Sequence, residues 1–197
     1  MESGQIIYPK RHREREYAVK ELVAKVAYSV IFVVLALIAL RSLMVEQILS
    51  RADAYAHFGL YDESKRQCNK ALLLDDNNSQ AWHKLARIYR DQGDIDMAMG
   101  AYQMATANDH GNVPAHFEYG MMYVQDGQYK QAIPYFDRVR ELKSNKIAPS
   151  GSPYHKSSLD MLLLCYQKVG DQGKVEFMRE QMRIFYPHHK TAADDDA

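Results

Sequence analysis

The chain has 197 residues, with 25 Lys and Arg balancing 25 Asp and Glu. That balance removes the simplest case for a nucleic-acid binder, which needs an excess of cations on one face. Cys68 and Cys165 stand 97 residues apart and outside any CxxC or zinc-type spacing, so both read as small apolar core residues.

Residues 1–25 form a polar segment in which Lys10, Arg11, Arg13, Arg15, Lys20 and Lys25 alternate with Glu14, Glu16 and Glu21. Pro9 is the last proline or glycine before Gly59, and the composition from Lys10 onward favours helix. Inside this run Val26–Leu40, VAYSVIFVVLALIAL, carries no charge. Its 15 residues rise only about 22 Å as a helix, against a hydrocarbon core of about 30 Å. Extension to Val45 supplies the missing length and includes Arg41. The ten large apolar residues contribute roughly −3 to −6 kcal/mol to insertion, whereas an arginine costs about 3 kcal/mol at the bilayer centre and less near an edge. Lys25 and Arg41 snorkel to their nearer interfaces, so residues 26–45 are expected to form a transmembrane helix contacting lipid from Val26 to Val45. The competitors are a cleaved signal, for which LRSLMVEQ offers no small-x-small site, and a buried soluble helix. Positive charge precedes the span, which leaves a cytoplasmic N-terminus and sends the remainder across. In a bacterium that is the periplasmic side of the inner membrane; the matrix-sided leader of an organelle inner membrane satisfies the same rule.

From Val45 a grid begins. Gly59, Gly93 and Gly127 lie 34 residues apart, as do Tyr55, Tyr89 and Tyr123, the period of stacked helix pairs. The units fall at 45–78, 79–112 and 113–146. A loop at 147–155, IAPSGSPYH, precedes a last unit at 156–189, which keeps Tyr166, Gly170 and Pro187. Residues 190–197 form an acidic tail expected to be disordered. The second unit is the clearest, AWHKLARIYRDQGDIDMAMGAYQMA, with Trp82, Leu85, Ala86, Tyr89, Gly93, Ala98, Tyr102 and Ala105 in place. This W-x2-L-A-x2-Y run followed by Gly93, Ala98 and Tyr102 resembles the tetratricopeptide repeat family. The third unit keeps Gly120, Tyr123, Gly127 and Phe136, with His116 where the second has Trp82. The first is degenerate, with Ser64 and Cys68 at the places of Ala98 and Tyr102, and polar substitutions there fit a terminal cap. The expected architecture is all-α: a single transmembrane helix running unbroken into an α-solenoid of three to four helix-turn-helix repeats over 45–189.

No nucleophile elbow, phosphate loop or HExxH occurs, and Gly93 breaks the calcium-loop spacing of Asp91, Asp94 and Asp96. No catalytic residue, cofactor, metal or small-molecule substrate is therefore expected, and no nucleic acid. The resemblance implies a concave face lined by the first helix of each unit. On it the second unit presents His83, Arg87 and Arg90, and the third Phe117, Met121 and Val124. A basic patch beside an apolar one suits a peptide or helix with an acidic end and hydrophobic anchors. Members that grip a chaperone's terminal carboxylate need Lys and Asn where this chain has Leu49 and Asp53, so that subclass is not expected. The reading is a non-enzymatic membrane scaffold that binds another protein, as an envelope assembly factor or an accessory subunit of a membrane complex. Its rivals are a self-associating structural protein and an enzyme without a recognisable motif.

Overall fold

The computed structural model describes residues 10–144 and 153–186, and all its regular structure among them is helical. The helices are α1 (Lys10–His57), α2 (Tyr61–Leu74), α3 (Ser79–Asp91), α4 (Ile95–Asn108), α5 (Val113–Gln125), α6 (Tyr129–Ser144), α7 (Pro153–Val169) and α8 (Gln172–Phe185). The tail 190–197, Pro187 and residues 147–152 of the expected loop lie outside the described residues. The chain divides into two compact units after Gln47, and α1 is continuous from Lys10 to His57.

In the first unit α1 is a candidate membrane span, with a strongly apolar 18-residue window of which nothing is buried. Phe32 is 73% exposed. Ser29 donates to the Val26 carbonyl at 2.8 Å and Ser42 to that of Ile38 at 3.1 Å, so both hydroxyls are satisfied within the helix.

The second unit is a solenoid of helical hairpins. The pairs α3/α4, α5/α6 and α7/α8 pack internally, and α2/α3, α4/α5 and α6/α7 join one hairpin to the next. The α3–α4 turn passes through Gly93 at φ +81°, its N–H donating to the Arg90 carbonyl at 2.9 Å. Only glycine enters that left-handed region without steric cost, and Gly127 does so at +74°. The 34-residue period is thus a spacing of enforced backbone conformations. Asn78, Asp94, Asn112 and Asp171 cap α3, α4, α5 and α8 by accepting from the N–H of Ala81, Met97, Ala115 and Lys174.

The last unit starts earlier than its composition indicates. Pro153, Tyr154 and His155, assigned by sequence to the loop, form the first turn of α7. Proline suits that position because the first N–H of a helix has no intrahelical acceptor.

Two clusters form the core. The first gathers Ala52, Cys68, Leu85, Ala86, Ala98 and Tyr102 with Tyr119, and the second Phe136, Leu159, Leu162, Cys165, Val175 and Met178. Leu85, Ala86, Ala98, Tyr102 and Phe136 are buried as repeat-packing residues, while Trp82, Tyr89 and Tyr123 pack half-buried at the border. The expectation of a polar terminal cap fails at Ser64 and Cys68, both fully buried; the Ser64 hydroxyl donates to the Ala52 carbonyl at 2.7 Å. Both cysteines are free, and burial pushes the Cys68 thiol up to about 12 and that of Cys165 to about 11.

Two positions carry sharp stability tests. A Cβ on Gly120 would meet the Phe136 ring at 2.9 Å, so α5 approaches α6 only because no side chain intervenes. Gly120→Ala should cost about 1–3 kcal/mol in urea unfolding, whereas Gly100→Ala, with open space around it, should gain about 0.5–1 kcal/mol. His116 is buried beside Tyr135, and neither ring nitrogen has a hydrogen-bond partner among the described residues. Burial, reinforced by Arg138 and His110 against Asp109, pushes it down to about 4. The folded state thus favours neutral His116, so its contribution to stability is complete above pH 6.5 and is lost as pH falls toward 4. Urea midpoints measured across that window should fall less steeply in His116→Phe than in the unsubstituted chain.

Candidate protein-binding groove

The groove is built on α3. Its residues 83, 87 and 90 recur at helical spacing on one face, and the α3–α5 contact turns that face toward a single carboxylate, Glu118 of α5. Arg90 Nη1 donates to Glu118 Oε2 at 3.1 Å and Tyr102 donates its hydroxyl at 2.8 Å. His83 Nε2 stands 3.3 Å away without hydrogen-bond alignment, and Arg87 Nε lies at 3.9 Å. Arg90 is bound on its other edge by Asp91, at 3.1 and 3.0 Å. Burial alone would raise Glu118, but the neighbouring His83, Tyr102 and Arg90 outweigh it and hold the carboxyl below its ordinary range. Burial and the same carboxylate push the Tyr102 phenol up.

The three basic positions therefore do converge, but they are not equivalent. Arg90 is a strut of the inter-helix seam, and His83 is a largely covered neighbour of it. Arg87 is 51% exposed and makes no hydrogen bond to any described residue. It opens into a cleft of about 360 Å³ between the end of α1 and α3, lined also by Asp53, His57, Lys84 and Asp91. Lys84 spans the cleft wall to Asp53, with both carboxylate oxygens at 2.6 Å. A second cleft of about 420 Å³ lies between α3 and the start of α5, where His83 and Lys84 meet Asp109, Asn112 and Pro114.

Phe117, Met121 and Val124 go elsewhere. All three pack half-buried against the second core cluster, Phe117 meeting Phe136 and Tyr154 edge-on with ring centroids at 5.5 Å. The expected apolar half of the groove is thus inter-repeat packing, because α7 covers the side of α5 that carries it. Sequence reasoning missed Glu118, Lys84 and their pairing with the preceding unit. The signal was available: Asp53 and Lys84, and likewise Arg87 and Glu118, are opposite charges 31 residues apart.

The hairpins, their left-handed glycines and their shared seams form an α-solenoid of tetratricopeptide-like helix pairs. Residues 68–99 and 113–146 each match a model of the tetratricopeptide repeat. Among solved structures, the crystal structure of MamA is similar at 19% identity over 68% of this chain and 73% of that one, with a TM-score of 0.56. YrrB, a TPR protein with an unusual peptide-binding site, is 19% identical over 74% and 70%, at 0.55. SycD, a type III secretion translocator chaperone of Yersinia enterocolitica, is 21% identical over 64% and 86%, at 0.56. No curated protein matches the sequence.

Substitution separates the strut from the more exposed cation. Arg90→Ala removes the hydrogen-bonded cation from a largely covered carboxylate, leaving it the Tyr102 hydroxyl, and should cost about 2–3 kcal/mol. Arg87→Ala should stay within about 0.5 kcal/mol of the unsubstituted protein. Chemical denaturation of the two variants side by side measures the difference.

Proposed function

We propose that this protein is a single-pass membrane scaffold without catalytic activity, which holds a segment of another envelope protein in the groove along α3. The N-terminus is cytoplasmic and the repeats lie outside the cytoplasm, on the periplasmic side of a bacterial inner membrane. Support for the anchor comes from the uncovered apolar window of α1 and the cations that precede it. The role is that of an assembly factor or an accessory subunit of a membrane complex. The two differ in lifetime: a subunit copurifies at fixed stoichiometry, an assembly factor transiently.

Arg87 carries the reading. An arginine that is half exposed, held by no hydrogen bond and only by a long 3.9 Å ion-pair contact with Glu118, and that lines a cleft can turn its donor pair to an incoming carboxylate, with Lys84 and Asp53 fixing the wall beside it. The favoured ligand is a polypeptide with an acidic side chain or terminal carboxylate. The similarity to YrrB and SycD, one with a peptide-binding site and one a chaperone, supports a polypeptide as the ligand class.

Charge reversal at Arg87 alone tests the groove cleanly, since Arg90 would confound binding with folding. In the full-length chain extracted in mild detergent, Arg87→Glu should weaken capture of the copurifying protein at least tenfold and leave the melting temperature in place. Undiminished capture would remove the groove from the proposal. For topology, Asp76→Cys should react with a membrane-impermeant maleimide in intact bacterial spheroplasts, and Arg15→Cys only after permeabilisation. The reverse pattern would invert the orientation.

A further inference from the structure

The first hairpin turn departs from its counterparts in a way that packing does not explain. In the α3–α4 turn Gln92, Gly93 and Asp94 are polar or structural, and Asp94 caps α4; Asp171 does the same for α8. The α1–α2 turn has Phe58, Gly59 and Leu60 at those places. Leu60 has no side-chain oxygen to offer, and α2 begins without a side-chain cap. Nothing in the fold repays that loss, because Phe58 is 76% exposed and Leu60 47%. Two more apolar side chains, Ile95 and Met97, stand 50% exposed at the start of α4. Lys65, in the second turn of α2, donates to Gln92 of the α3–α4 turn at 3.0 Å, so the start of α2 and that turn lie within one lysine side chain's reach.

The rim of this patch is acidic. Asp94 and Asp96 are exposed around it, while Lys65 and Asp62 offset each other in an ion pair at 3.1 Å, with the ammonium over the Tyr89 ring, so the rim is left with net negative charge. An apolar centre with an anionic rim repels an anionic lipid surface and attracts a polypeptide whose apolar residues are flanked by cations.

We propose that the turn edge formed by Phe58, Leu60, Ile95 and Met97 is a docking surface for a protein segment bearing apolar side chains flanked by Lys or Arg. It adjoins the Arg87 cleft through His57, whose ring meets Phe58 edge-on at 5.6 Å, but it selects the opposite charge, so peptides of opposite charge tell the two surfaces apart. One chain would then hold two different segments, an acidic one in the groove and a basic one on the turn edge.

The pair Phe58→Gln and Leu60→Asp gives the first turn the residues of the second and supplies the missing cap. Its melting temperature should rise, so any lost binding is not a folding defect. The probes are a fluorescent amphipathic peptide of Leu and Lys and its counterpart of Leu and Glu, titrated onto the full chain in nanodiscs with empty discs as reference. The Lys peptide should bind at least tenfold more tightly than the Glu peptide, weaken with added salt, and lose at least tenfold on the double variant. Arg87→Glu should leave that binding unchanged. Equal binding to variant and unsubstituted chain, or a preference for the Glu peptide, overturns the proposal. A fall in detergent-solution mass on the double substitution reassigns the edge to self-association, and loss of binding to phosphatidylglycerol vesicles reassigns it to lipid; either result also overturns it.

Discussion

A pair of short helices cannot bury its own apolar stripe, so every hairpin in this solenoid depends on the next one. Tyr102 shows what that dependence entails. It is fully buried and stacks on Tyr119 of the following hairpin, with centroids at 6.0 Å. Its hydroxyl goes inside with the ring and needs an acceptor, which Glu118 provides. A largely covered carboxylate in turn needs a cation, and Arg90 supplies it. One aromatic core residue thus commits an acid and a base on the groove wall, and this chain of obligations decides which cations remain for a ligand.

That logic also marks where the sequence was readable. Gly93 and Gly127 announce their turns because a left-handed φ excludes most other residues, and the apolar run at Val26–Leu40 is legible from composition alone. Leu85, Ala86, Ala98, Tyr102 and Phe136 follow from helical periodicity, which says that a side is covered. Periodicity does not say by what. Phe117, Met121 and Val124 have the spacing of an exposed face, but α5 is packed on two sides and α7 takes that one. Glu118 escaped for a related reason: comparing units at equal register aligns residues 34 apart, whereas the partners across a seam are 31 apart, about one helical turn short.

The two seams reached by that offset have opposite polarity. Asp53 faces Lys84 across the first, and Arg87 faces Glu118 across the second. Each pair has one member more than half exposed, so its own contribution to stability is modest. Their arrangement matters more than their strength. A stack that skipped the second unit would set Asp53 against Glu118, two acids, in place of a salt bridge. In an array of similar hairpins, where misregister is the characteristic folding error, alternating polarity penalises the wrong neighbour.

The first hairpin obeys the same physics with different residues. A terminal unit was expected to turn polar because it faces solvent, yet Ser64 and Cys68 are as deeply buried as the alanine and tyrosine they replace. Size explains the choice better than polarity. Ser64 puts its oxygen 2.7 Å from the Ala52 carbonyl, a contact that only a small side chain on α2 and an alanine on α1 permit. The seam between α1 and α2 is therefore closed by small residues and a buried hydrogen bond, where later seams use aromatic rings and ion pairs. Two of its large apolar side chains, Phe58 and Leu60, are placed at the turn, outside the core that Leu49 and Leu72 join.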